Sequence, residues 1–446
     1  MAVKTRAEQQ TPIPDGWSET RLGDIISLRG GLSYKGELIS DTGNSLVTMG
    51  CVSSSDRFNF AGLRRYRGEY RDVHVLRPGD MVIATRDVTQ NRKLLGSPAI
   101  VPEGLPGEVA IAATNLYKVT NSSKTPTDFL YWLMKTPNYR NQIIASAKGT
   151  TIVMLTKDSV EDFRFALPPL AEQRAIVAVL GVLDDKIELN RRMNSTLEAM
   201  ARALFQSWFV DFDPVCAKLE GGTPVGLDEP TAALFPGNLE ETALGQTPQG
   251  WEVRSLDKIA HYLNGLALQK YPPDDRPTLP VIKIAQLRRG DSVGADRCNT
   301  DLPAAYIVQD GDVLFSWSGS LEVELWCGGR GALNQHLFKV TSPQFPKWFY
   351  YLWTRHHLED FRRTAASKAT TMGHIQRQHL TDAKVLVPPP VLITAMTRLV
   401  APLIDRVIAN NVQSRTLQAV RHTLLPKLLS GQLRIPEANW KREEDE

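Results

Sequence analysis

The chain repeats itself. PDGWSETRLGDIISLRGGLSYK begins at Pro14 and PQGWEVRSLDKIAHYLNGLALQK at Pro248, 234 residues on, aligning Trp17 with Trp251, Leu22 with Leu256, Ile25 with Ile259 and Gly31 with Gly265. RPGDMVIATR then matches VQDGDVLFSW at an offset of 232, pairing Gly79-Asp80 with Gly311-Asp312. LYKVT at Leu116 matches LFKVT at Leu337, DFLYWL matches KWFYYL, and AKGTT at Ala147 matches SKATT at Ser367. From there the offset holds at 220, through the proline pairs Pro168-Pro169 and Pro388-Pro389 and through Asn190 and Asn410. A period so far beyond the roughly 20 to 50 residues of solenoids and propellers means a duplicated domain-plus-helix unit. Such a chain carries a pseudo-two-fold axis within one polypeptide and presents two similar surfaces. The copies diverge between the shared landmarks, which suits two related sites that read different things.

Each half opens on a strand-rich module. RPGDMVIAT and VQDGDVLFSW read as a turn with glycine at its tip followed by a short apolar strand, and NLYKVT and HLFKVT as a further strand. The apolar residues of the next stretch recur at helical spacing, so an α+β module of roughly 150 residues is expected in each half. Phe129, Tyr131 and Trp132, with Trp348, Phe349 and Tyr350, are expected to pack helix on sheet rather than to stack on bases. The proline pairs cannot donate to a strand ladder and so end the last strand and launch a helix. The expected boundaries are a first module over 1–170, a helix over 171–209, a linker over 210–247 with one short helix at Thr231 to Leu234, a second module over 248–390, a helix over 391–430 and a tail over 431–446.

In the first helix the 3-4 spacing runs through Ile176, Leu180, Leu183, Ile187, Asn190, Asn194, Leu197, Ala201 and Leu204. The same register recurs 220 residues later through Met396, Val400, Leu403, Val407, Asn410, Leu417 and Leu424. A lone helix with such a stripe needs a partner, and the expected partner is its own copy, packed as an antiparallel coiled coil. Polar Asn190 and Asn410 in the seam cost stability and restrict register. Pro402 and Pro426 predict kinks or an early end in the second helix.

With 42% apolar and 23% charged residues, the 446-residue chain has ordinary globular composition, enough for two to four domains at ~100 to 200 residues each. Cys51, Cys216, Cys298 and Cys327 form no CxxC pair, which argues against a zinc ribbon or a disulfide framework and fits a cytoplasmic location. No run of ~18 apolar residues suggests a membrane span. There is no P-loop, GxSxG, HExxH or GxGxxG with a following acid, and His356, His357 and His374 match no zinc spacing, so neither catalysis by this chain nor a bound metal or cofactor is expected.

A net charge of +3 does not prove a polyanionic partner, but loop arginines and lysines cluster at matched places in both halves. Arg64, Arg65, Arg67, Arg86, Arg92, Lys93, Lys148, Thr150 and Thr151 are the candidates in the first half. Arg288, Arg289, Ser316, Lys368, Thr370, Thr371 and Arg377 are those in the second. Arginine and lysine in loops suit phosphate positioning and guanine readout, and threonine hydroxyls suit phosphate oxygens.

Gly16-Trp17 and Gly250-Trp251, the Gly-Asp-strand element, LPPLAEQRAIVAVLGVLDDKIELN and LFQSWFVDFDP at Leu204 to Pro214 together resemble the DNA-specificity subunit of type I restriction-modification systems, over almost the whole chain. The second copy departs from the pattern around Ala395 and Met396, so that half rests mostly on the repeat. The resemblance implies two target-recognition domains separated by two conserved helices that form an antiparallel coiled coil. It implies a non-catalytic reader of double-stranded DNA, each domain taking half of a bipartite asymmetric target. Two adenine methyltransferase subunits would dock on it and a restriction translocase would join through them, with S-adenosylmethionine, ATP and magnesium on those partners. The alternative is a two-module protein-protein adaptor without DNA contact, which salt-dependent binding to duplex DNA would separate from it.

Overall fold

The expected order of elements is present in a computed structural model of the chain, which describes residues 13–87, 92–147, 153–367 and 373–436. These pack into two units. The first takes the residues up to Asp184 together with Gln418 onward, and the second takes Asp185–Leu417.

In the first unit, Ser18–Arg21 pairs antiparallel with Arg164–Leu167, tying the module's start to its end. A four-stranded antiparallel sheet runs in the order Ile26–Gly30, Leu116–Asn121, Met81–Ala84, Pro98–Ile100. A second sheet contains the parallel pair Ala110–Ala112 and Asn44–Val47. The helices Thr127–Leu133 and Pro137–Ser146 cover the four-stranded sheet's core. The second unit repeats this plan with His261–Asn264, Leu337–Thr341, Val313–Ser316 and Val323–Leu325 in one sheet, the parallel pair Leu279–Ile282 and Gly331–Leu333 in another, and the helices Lys347–His356 and Leu358–Ser367. The aromatics assigned to packing are buried in both: Phe129, Tyr131 and Trp132 in one, Trp348, Phe349 and Tyr350 in the other.

Both proline pairs launch long helices, Leu170–Phe209 and Pro390–Leu429, 40 residues each and so ~60 Å long at 1.5 Å per residue. The amide of Gln173 donates to the Pro168 carbonyl at 2.8 Å, closing the first turn over the break. The expected early end of the second helix does not occur. Pro402 is exposed, as are Arg398 and His422, the residues whose carbonyls lose a helical donor to Pro402 and Pro426, and the helix runs on through both prolines. The expected linker is also more ordered than its composition suggests. It holds helices Asp213–Leu219 and Glu229–Ala233 and a hairpin of Leu239–Thr242 with Gly245–Pro248, pinned by Val215 and Phe235 in the core.

Each unit's core is completed by the far end of the other copy's helix. Leu425, Leu428 and Leu429 join Ile176 and Leu180 in the first core. Their repeat equivalents Phe205, Trp208 and Phe209 join Met396, Val400 and Ile404 in the second. Phe209 lies 5.5 Å from the Trp251 ring and 5.6 Å from the Trp353 ring, which is the physical content of the LFQSWF signature. Within the second unit the helices are antiparallel: the Asn410 amide donates to Asn194 Oδ1 at 2.8 Å, and the Asn190 amide donates to Ser414 Oγ at 3.2 Å. Because 190 and 410, and 194 and 414, are equivalent positions of the repeat, these two bonds are images of each other across the seam. Asn190 and Asn410 are both buried, and so are Ile176, Leu180, Ile187 and Val407, while Leu183, Leu197, Leu403 and Leu417 are half-buried along the same stripe.

Candidate nucleic-acid interface

The two modules match backbone bond for backbone bond around one end of the four-stranded sheet. Gly31 donates to the Leu116 carbonyl and Gly265 to the Leu337 carbonyl; Thr85 donates to Asn115 and Trp317 to His336; Leu155 donates to Thr85 and Ile375 to Trp317. A Cβ on Gly31 would sit 2.1 Å from the Ala113 carbonyl oxygen, and one on Gly265 2.2 Å from that of Asn334, so both positions admit only glycine. Lys118 reaches Asp80 at 3.4 Å and Lys339 reaches Asp312 at 2.8 Å, each lysine also donating to a neighbouring strand's carbonyl. Asp80 and Asp312 accept from the backbone of Arg77 and Gln309, closing the glycine turn. The repeated Gly-Asp and Lys-Val-Thr landmarks are therefore scaffold.

On that scaffold the side chains differ. The second module carries Trp317, whose indole N–H donates to Asn264 Oδ1 at 2.9 Å, and His336, whose Nδ1 lies 3.0 Å from Ser318 Oγ and whose Nε2 lies 3.3 Å from the amide nitrogen of Gln335. Trp317 packs on His336 and Phe338 at 5.9 and 6.0 Å between centroids. The first module has Thr85, Gly30, Asn115, Arg86 and Thr114 at the corresponding positions. None of the second module's polar group was singled out from the sequence. The signal was present in the repeat alignment, as mismatches beside matched landmarks.

The predicted basic residues divide. Arg64 is exposed and folds its guanidinium back on the Ala61 and Leu63 carbonyls, and Arg67 is exposed beside Thr42. Arg86 is half-buried in the short strand Arg86–Asp87, next to Val153–Met154. Arg92 and Lys93 lend their carbonyls to Arg140 and so anchor the end of the helix Pro137–Ser146. Arg288 and Arg289 are exposed at the end of a short helix, near Glu322 and Asp291. One assignment is corrected. Ser316 is fully buried with its hydroxyl donating to the Ser320 carbonyl and accepting from Glu322 N–H, so it braces a turn. Arg65 is half-buried and clamps the Gly43 carbonyl, and Arg377 is exposed, donates to the Tyr262 carbonyl at 3.3 Å and covers the Phe338 ring. Lys148, Thr150, Thr151, Lys368, Thr370 and Thr371 lie outside the described residues.

His356 and His357 pack against Trp353, and burial lowers the pKa of both below the ordinary histidine value; His357 Nε2 meets the Lys384 carbonyl at 2.9 Å. No helix among the described residues is long and apolar enough to cross a membrane.

A buried charge cluster in the first unit also escaped sequence reading. Asp184 pairs with Arg421, whose guanidinium lies over the Trp132 ring, and Lys135 sits 4.6 Å from the Tyr131 ring centre while donating to the Asp56 carbonyl. Burial pushes the Lys135 ammonium down to about 7 and raises the Asp184 carboxyl against the pull of Arg421.

The family model described as the type I restriction modification DNA specificity domain matches residues 14–199 and 248–391. The chain is 24% identical over 95% of both chains to the type I restriction enzyme MjaIX specificity subunit of Methanocaldococcus jannaschii. It is 25% identical to the HindI specificity subunit of Haemophilus influenzae, over 70% of this chain and 79% of that one. It also shares the fold of the S subunit of a type I restriction-modification system from M. genitalium, with a TM-score of 0.53 at 14% identity over 96% of this chain and 99% of that one. The family model covers both copies of the module and most of the first long helix, and the chain belongs to the family of type I restriction-modification DNA specificity subunits.

Proposed function

We propose that the chain reads a bipartite, asymmetric target in double-stranded DNA, one half through each recognition module, and performs no chemistry itself. The observation that carries the reading is the repeated scaffold with unlike side chains on it: one backbone presented twice, with different hydrogen-bonding groups, is what two different half-sites require. The exposed arginines at Arg64, Arg67, Arg288 and Arg289 suit phosphate contacts that orient the duplex without reading it.

The long helices supply a second surface. Val179, Val182, Leu189 and Met200 are exposed on the first helix at spacings that place them on one face. An apolar stripe in water suits helices of a partner, and the partner of a specificity subunit is an adenine methyltransferase, with the restriction translocase joining through it. S-adenosylmethionine, ATP and magnesium belong on those subunits, in the cytoplasm.

The test is base-resolved adenine methylation of genomic DNA from cells expressing the neighbouring methyltransferase with and without this chain. A two-part motif that appears only with the chain is the expected result. Methylation of the same motif without the chain, or no motif in either case, would overturn the reading.

A further inference from the structure

Resting on the DNA-reading role above, we propose that Gln335, His336, Trp317 and Asn264 are the base-reading set of the second module, addressing a base edge that offers a donor beside an acceptor.

The argument starts from a contrast. Where backbone bonds are matched between the modules and the residue serves the scaffold, its identity is kept: Gly31 and Gly265, Leu116 and Leu337, Lys118 and Lys339, Asp80 and Asp312. At the immediately adjoining positions the backbone bonds are equally matched but the side chains are not. Asn264 stands for Gly30, Trp317 for Thr85, Gln335 for Thr114 and His336 for Asn115. Unlike hydrogen-bonding groups carried on matched backbone bonds are what two different half-sites require; Asn115 is the one position of the four that differs in backbone as well, its φ being 67°.

The group is also organised for recognition. Asn264 is exposed, and Trp317, Gln335 and His336 are half-buried, so the cluster is accessible yet held. As placed, the amide nitrogen of Gln335 can only donate, so His336 Nε2 accepts and the ring proton lies on Nδ1, directed at Ser318 Oγ. That spends one N–H of Gln335, and its second N–H and its Oε1 take no bond among the described residues. A carboxamide presents that pair to N6 and N7 of adenine in the major groove. The tilted packing of Trp317 on His336 and Phe338 and the bond from Trp317 to Asn264 hold the ring and hence the amide, so little side-chain entropy is lost on contact.

The experiment is methylation mapping of the complex of the full chain with its methyltransferase, comparing the unaltered chain with Gln335→Glu and Trp317→Thr. Gln335→Glu keeps the shape but replaces the donor with an acceptor, so it decides the matter even where Trp317→Thr fails to fold. The expected result is a motif altered or relaxed at one or two positions in one half only, discrimination there falling of the order of tenfold or more, with the other half unchanged. A motif unchanged in both halves, a change spread over both halves, or methylation merely reduced at the unchanged motif with unchanged melting of the chain would each overturn the assignment. Failure of the unaltered chain to direct any two-part motif would instead overturn the DNA-reading role itself.

Discussion

Single residues show where the two copies have parted. The Trp17 indole donates to Glu172 at 3.0 Å, and Glu172, almost wholly buried, also holds Arg434 from beyond the second helix at 2.7 Å. In the second module Leu392 occupies the place of Glu172, and the Trp251 indole nitrogen finds no partner among the described residues. Arg434→Ala leaves a buried carboxylate with one neutral donor, and we expect the first unit to lose about 1–3 kcal/mol in urea unfolding, Arg434 itself being half in water. An unchanged midpoint would show the pair to be ornamental. Lys135 supplies a pH dependence. Its folded pKa, about 7, lies below the ordinary 10.5, so between these values the unfolded chain binds more protons and stability rises with pH. Burial is the main cause of the shift; Arg421 and Arg57, which face the same site, add to it, and Asp184 and Asp56 oppose it. Thermal melting of the first unit from pH 7 to 10 should rise more steeply in the natural chain than in Lys135→Met; parallel curves would refute the assignment. The buried aromatics were legible from their spacing, whereas the Lys135 and Asp184 cluster was not, because its members are 49 positions apart in sequence and meet only through packing.

At the scale of elements, the helices were legible almost to the residue, since a proline pair and a heptad seam are local signals. What the seam amides contact was not. The Asn190 amide bonds to Gln413, Ser414 and the Asn410 carbonyl, and the Asn194 amide reaches Asn411 at 2.8 Å, a ladder that exists only at one antiparallel register. Asn410→Leu removes the donor to Asn194 Oδ1 and should destabilise the second unit by about 1–3 kcal/mol. Asn194→Leu combined with it should cost less than the two singles together, a coupling of about 0.5–3 kcal/mol in a double-mutant cycle. Strict additivity would mean that the amides act independently. Local rules also misled: prolines at 402 and 426 predict kinks or an early end, but Pro390–Leu429 runs through both, its seam residues packed on the first helix and into the cores.

For the whole molecule, duplication explains more than any single motif. It gives two modules of one plan, and it gives two helices whose ends are exchanged, so that Leu425, Leu428 and Leu429 do for the first core what Phe205, Trp208 and Phe209 do for the second. The outward stripe of the first helix leads to a prediction at this scale. Val182→Glu, at a position 67% exposed, should leave melting within about 0.5 kcal/mol of the natural chain. It should weaken co-purification with the methyltransferase and leave duplex DNA binding by the isolated chain intact. Undiminished co-purification would place the docking face elsewhere.

The amino-acid sequence by itself determined the repeat, the α+β class of each module, the length and register of the two helices and the family. These are carried by periodicity, turn glycines and prolines, all of which act over a few residues or recur at a fixed offset. Only the tertiary structure decided which polar residues remain available. Ser316 looks like a binding group in a string of letters and is buried within the fold, while Asn264, Trp317, Gln335 and His336 look unremarkable there and meet at one sheet end. The reason is that a hydrogen bond made inside the chain and one offered to a ligand involve the same side chains, and which of the two is formed depends on neighbours brought together from distant parts of the sequence.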